Sequence, residues 1–217
     1  MSASRSLEEF MLAERIARLR ALAAQRTRNL AVALDGVHDP RNLSAVARSL
    51  DAFGLLDLHA IESHTHFRVS ERVSQGSDKW LDIHRHRTPE ECLAVLQASD
   101  LEIWVADARE GSRIIDLVPF ERRLCLVFGN EHEGVSAPVR AAAAGSFRIP
   151  MYGFVDSLNV SVAVGISLAV AVRRREALLG QHADLAPAEC EALVREWQRR
   201  SVRHADLILR RLANPEP

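Results

Sequence analysis

The sequence predicts an α/β fold with a mainly parallel sheet flanked by helices. Two observations lead there. Short apolar runs of strand length recur at 30–34, 55–61, 101–106, 123–128 and 147–150. Between them lie segments whose apolar side chains repeat every three or four residues, and that alternation is the pattern of βαβ units. Composition agrees. Of 217 residues, 47% are hydrophobic and 26% charged, which excludes a disordered or fibrous chain.

The elements follow in order. Leu7, Met11, Ile16, Leu19, Leu22 and Ala23 fall near helical spacing with charged residues between them, so 6–25 reads as an amphipathic helix. The run LAVAL at 30–34 reads as a buried strand. Gly36 and Asp39-Pro40 are turn chemistry, and a helix over 43–53 stops at Gly54. A strand over 55–61 precedes a polar, irregular stretch at 62–88. Thr88 stands as N-cap of a helix over 89–98. Strands at 101–106 and 123–128 follow, the second ending at Gly129. A short helix at 138–144, a strand at 147–150, a long helix at 157–179 and an amphipathic helix at 187–212 complete the chain. The expected division is an N-terminal basic helix (1–28), a central domain (29–180) and a C-terminal basic helix (181–217).

Charge is unevenly placed. Residues 1–30 hold six Arg against three Glu, net +3, and residues 173–217 hold nine Arg against seven acids, net +2. The middle holds 13 basic and 19 acidic groups, net −6. Basic ends fit an RNA partner, although high-GC codon usage enriches arginine as well. The N-terminus has no basic region followed by an apolar core, so no signal peptide is expected. The most apolar run, 158–172, contains Asn159, Ser161 and Ser167 and is too short to span a membrane. Three cysteines without a C-x-x-C pair point to a reducing, cytoplasmic setting.

Several chemistries are excluded. No G-x-G-x-x-G follows the first strand. Gly129 and Gly134 have P-loop spacing, but Val135 stands where the phosphate-binding lysine belongs. There is no G-x-S-x-G elbow. His64 with His66, and His84 with His86, have no cysteine or carboxylate cluster at ligand spacing. They are expected at the surface, and no metal site is expected.

Three segments carry chemistry. In VHDPRNLSAVAR at 37–48, Asn42 opens a helix and Arg48 lies six residues on. In LVFGNEHEGVS at 126–136, an apolar strand empties into a loop with two glycines, and ligands bind beyond strand C-termini in open α/β sheets. In IPMYGFVDSLNVSVA at 149–163, Ser157 and Asn159 open a helix. Small polar residues there are usually caps, but an asparagine in an apolar helix needs a partner.

In this order the three segments resemble the motifs of the SpoU, or TrmH, family of RNA 2′-O-ribose methyltransferases in the SPOUT class. Asn42, Arg48 and Gly54 match the first motif, Gly129, Asn130, Glu131 and Gly134 the second, and 149–163 the third. VHDPRNLSA at 37–45 and GSDKW at 76–80 are similar to the tRNA branch that methylates a D-loop guanosine. The likeness covers about residues 8–180.

The resemblance implies a C-terminal deep trefoil knot and a homodimer with its active site near the subunit interface. It implies S-adenosylmethionine as cofactor, held against Ala106, Gly129, Asn130, Ile149, Met151 and Leu158. It implies Arg48 as the base, or as the group that orients the 2′-oxygen through the RNA phosphate. Asn42, Glu131, Ser157 and Asn159 then position Arg48, the ribose and the loop. The same reaction on ribosomal RNA or another tRNA position, and a non-catalytic RNA-binding SPOUT protein, stay as alternatives. His132, Glu133 and Asp156 make this chain more acidic near the site than the tRNA branch. The short N-terminal helix, too small for a separate RNA-binding domain, favours tRNA.

Overall fold

The computed structural model describes residues 7–62, 76–109, 111–130 and 133–213. The chain forms two compact units, one of residues 27–182 and one combining 1–26 with 183–217.

The larger unit is built on seven strands: β1 (Leu30–Asp35), β2 (Asp57–Ile61), β3 (Asp82–His86), β4 (Glu102–Ala106), β5 (Arg113–Ile114), β6 (Leu124–Gly129) and β7 (Gly145–Arg148). Their order is β3-β2-β1-β6-β4-β7-β5, and every pairing between them is parallel. All six residues of β1 are buried, as a central parallel strand with both faces covered requires. Side chains alternate between faces. Val32, Leu34, Leu126 and Phe128 join one core with α2 (Pro40–Ala52) and α5 (Val160–Leu179). Ala31, Ala33, Cys125 and Val127 join the other with α3 (Pro89–Ala98) and α4 (Ala137–Ala142).

Local chemistry sets the helix starts. Asp39 caps α2 by accepting from the Arg41 amide at 2.8 Å, with Pro40 in the first turn. Thr88 caps α3, accepting from the Glu91 amide at 3.2 Å. Asn159 caps α5, which begins at Val160 rather than 157, because Asn159 Oδ1 takes the Ser161 amide at 3.0 Å.

Two expectations need correction. The stretch read as irregular contains a 3-10 turn (Ser77–Trp80) and β3. The sequence DIHRH hides this strand because all its side chains but Ile83 are polar. Asp82, Ile83 and His84 are half-buried, Arg85 is exposed and His86 is buried. The two-residue β5 also escaped the pattern.

In the smaller unit, a 3-10 turn (Leu7–Phe10) and α1 (Ala13–Ala23) replace the single helix expected over 6–25. The helix expected over 187–212 divides into α6 (Pro187–Ser201) and α7 (Ala205–Ala213), with His204 at φ 59 between them. Buried Trp197 lies under the Arg26 guanidinium, 5.2 Å from its ring centre. Glu8 accepts from Arg20 at 2.7 Å and from Gln198 at 3.2 Å. No described helix is long and apolar enough to cross a membrane.

Candidate active site

Parallel pairing brings the carboxyl ends of β4, β6 and β7 to one edge of the sheet, where ligands bind in open α/β folds. A cleft of about 250 Å³ opens there. Ala106, Gly129, Asn130, Ile149, Met151 and Leu158, all named from the sequence, line it, as does Ser157. Phe128, Phe147 and Val160 give it an apolar floor, and Asp107, Arg140 and Arg148 supply charge.

The loop after β6 is folded back on itself. The Gly134 amide donates to the Asn130 carbonyl at 3.0 Å, and the Glu133 amide donates to Asn130 Oδ1 at 2.7 Å. A Cβ on Gly129 would lie 2.0 Å from the Gly134 carbonyl carbon and 2.3 Å from the Val135 nitrogen. Only glycine allows that approach. The resulting rim presents main chain to the cleft, which suits an adenosine-sized ligand recognised by backbone groups over apolar walls.

Three residues that sequence reasoning missed hold this rim. Buried Asp35, at the end of β1, accepts from the Ser136 amide at 2.8 Å. Arg140 donates to the Val135 carbonyl at 3.0 Å and to Asp107 Oδ2 at 2.6 Å. Asp107 also receives Arg109 at 2.5 Å. Its place directly after β4 was the available signal. Asp35 meets its partner across 101 residues and gave none.

Asn42 and Asn159 do not line the cleft, but they meet each other. Asn159 Nδ2 donates to Asn42 Oδ1 at 3.0 Å, joining the first motif to the third across 117 residues. The unpartnered asparagine that the sequence marked thus has two uses, capping α5 and gripping α2. Arg48 is exposed on α2, about one and two-thirds turns beyond Asn42. Glu131 and His132 lie outside the described residues, as do His64 and His66.

The surface reading fails for the second histidine pair. His86 is buried, its Nε2 bonded to Nδ1 of buried His59 at 3.0 Å, while half-buried His84 contacts Asp57 Oδ1 at 2.8 Å. Burial, with His84 and His86 adding to it, holds His59 down to about 4.

This fold and rim are those of a methylase. Residues 29–169 match the SpoU rRNA Methylase family model, and the chain belongs to that family. Among individual relatives, it is 34% identical over 184 residues to the tRNA (guanosine(18)-2′-O)-methyltransferase of Thermus thermophilus, covering 84% of this chain and 95% of that one. It is 33% identical over 196 residues to the Aquifex aeolicus protein of the same name, covering 88% and 92%. The crystal structure of the A. aeolicus TrmH/SpoU tRNA modifying enzyme superposes with a TM-score of 0.80 at 32% identity, covering 91% of this chain and 98% of that chain. The SpoU methyltransferase AviRb from Streptomyces viridochromogenes, crystallised with AdoMet, superposes at 0.65 with 28% identity, covering 70% and 62%.

Proposed function

We propose that this protein transfers a methyl group from S-adenosylmethionine to a ribose 2′-hydroxyl of tRNA, at the D-loop guanosine in position 18 that the names of its relatives specify. One observation carries the reading. The Asn42–Asn159 bond at 3.0 Å ties the helix bearing Arg48 to the segment that lines the cleft.

When bound, S-adenosylmethionine supplies an electrophilic sulfonium methyl. Ala106, Gly129, Asn130, Ile149, Met151 and Leu158, which line the cleft, would hold it. The chain's remaining task is alignment of the ribose oxygen and removal of its proton. Arg48 grips the RNA phosphate and so orients the 2′-oxygen. Because a guanidinium holds its proton firmly, orientation is the first role we assign it, and proton acceptance the second. Asn42, Asn159, Ser157 and Glu131 fix Arg48, the ribose and the loop.

The architecture we infer with this activity is a deep trefoil knot in the C-terminal part of the sheet unit and a homodimer. Tyr152, Phe154 and Val155 are more than half exposed on the loop before α5, and Val162 and Ile166 extend that apolar surface along the helix. A second copy covering it accounts for their exposure. The basic terminal helices add RNA contacts, and the free cysteines fit a cytoplasmic protein.

The test is transfer of labelled methyl to total tRNA, with the modified position mapped and Arg48→Ala run beside it. A single D-loop guanosine signal, lost in the variant while cofactor binding persists, is expected. Transfer to ribosomal RNA alone would overturn the substrate. Wild-type turnover in Arg48→Ala would overturn the assignment of Arg48.

A further inference from the structure

A second cluster of reactive side chains lies at the opposite flank of the sheet, away from the cleft. His59 is in the middle of β2, His86 ends β3, and Cys92 lies in the first turns of α3. Their exposures are 3%, 6% and 1%. One ligand atom from each lies within 4.8 Å of the other two.

We propose that His59, His86 and Cys92 form a binding site for a thiophilic divalent cation of the zinc class. The donor set selects the cation. Two imidazole nitrogens and one thiolate suit a borderline-soft metal, and exclude magnesium and calcium, which take oxygen ligands. The scale fits as well. Zn–N bonds of about 2.0 Å and Zn–S bonds of about 2.3 Å place ligand atoms roughly 3.3–3.6 Å apart in a tetrahedron, so side-chain movement of about 1 Å closes the site. The 3.0 Å approach of His59 Nδ1 to His86 Nε2 is already at that scale.

A polar network lies beside the cluster. His84 stacks on His59 with ring centres 4.5 Å apart and is itself held by Asp57 at 2.8 Å. Asp57 is fixed by Arg28 at 2.8 Å, and Arg28 also reaches Asp82 at 2.5 Å. The chain Arg28–Asp57–His84 fixes the ring that packs on His59, one step removed from the ligands themselves. Burial, with Asp35 adding to it, pushes the Cys92 thiol up to about 12, so the thiol stays protonated until a cation displaces its proton. Binding replaces the Cys92 S–H proton with the cation, and the proton leaves to solvent. Three protein ligands leave the fourth tetrahedral position to an exogenous donor. β3 is the edge strand, so a bound cation pins that edge to α3.

The experiment is a titration of the full-length, chelator-treated protein with cobalt(II) alone, followed by absorption. Stoichiometric binding with a near-ultraviolet thiolate-to-cobalt band is expected, displaced by zinc. The band should vanish in Cys92→Ser and His86→Ala and persist in Cys125→Ser and Cys190→Ser. Elemental analysis of the untreated wild-type protein reads the native metal, and the wild-type chain should melt higher with zinc than with chelator. A wild-type protein that shows no charge-transfer band overturns the proposal regardless of how the variants fold. So does a band that survives in Cys92→Ser. None of these readouts depends on RNA methylation.

Discussion

Gly129→Ala isolates the rim of the cleft from everything else. Gly129 has no left-handed backbone, so the effect of the methyl group is purely steric. That carbon would sit 2.0 Å from the Gly134 carbonyl carbon, 2.1 Å from its oxygen and 2.3 Å from the Val135 nitrogen. Real contacts of this kind do not fall below 3.0 Å, so the turn must retreat by at least 1.0 Å. All three atoms are main chain, and no rotamer change relieves them. Overpacking of this kind costs about 1–3 kcal/mol of stability. A displacement of about 1 Å at a substrate-positioning element lowers turnover on the order of 100-fold. Calorimetric titration with S-adenosylmethionine and single-turnover methyl transfer to tRNA read the two consequences separately. Gly165→Ala is the control, since its added carbon meets only Ser49 Oγ at an ordinary 3.9 Å. Wild-type affinity and turnover in Gly129→Ala would refute the claim that the closed turn builds the cofactor rim.

Three further outcomes are expected. Asn159→Ala removes the cap of α5 and the bond to Asn42, lowering stability by about 1 kcal/mol. A double-mutant cycle with Asn42→Ala in urea unfolding should then show a coupling of about 0.5–1.5 kcal/mol, and simple additivity would count against the pair. Asp107→Asn weakens the 2.6 Å charge-assisted bond to Arg140, so the cofactor Kd should rise about tenfold in an equilibrium binding assay. In chelator-treated protein, stability should fall as pH drops from about 6.5 to about 4, because the unfolded chain protonates His59 before the folded one does. The loss amounts to about 3 kcal/mol and levels off below the folded-state value. Urea midpoints at about pH 7.5 and pH 4.5 measure it, and His59→Gln should flatten the difference.

Legibility in the sequence followed the range of the interaction. The strands of the central sheet announced themselves because both faces are covered and the runs are continuously apolar, as in LAVALD and LCLVFG. The loops that line the cleft were visible because glycine, proline and a strand end coincide there. β3 was not, because an edge strand that is polar but for Ile83 has no hydrophobic period. The break before α7 also gave no warning, since no glycine or proline marks His204. Asp35 and Arg140 act on residues that only the folded chain brings close. Of the His59–His86–Cys92 cluster only His86 stood out, and that in a pair with His84, because His59 reaches it through strand pairing and Cys92 through the packing of α3.

The smaller unit has a consequence for the newborn chain. Its first helix docks on α6, with the Cys190 thiol reaching the Ala23 carbonyl across 167 residues of sequence. At translation rates of about 5–20 residues per second, roughly 8–30 s separate the emergence of these two partners from the ribosome. Through that interval Ile16, Leu19 and Ala23, all buried in the finished fold, have no native surface to rest on. The arginines that alternate with them on α1 keep the waiting helix soluble and repel other copies of itself. The alternation of charge and leucine at this end therefore serves the chain before it is folded as well as after.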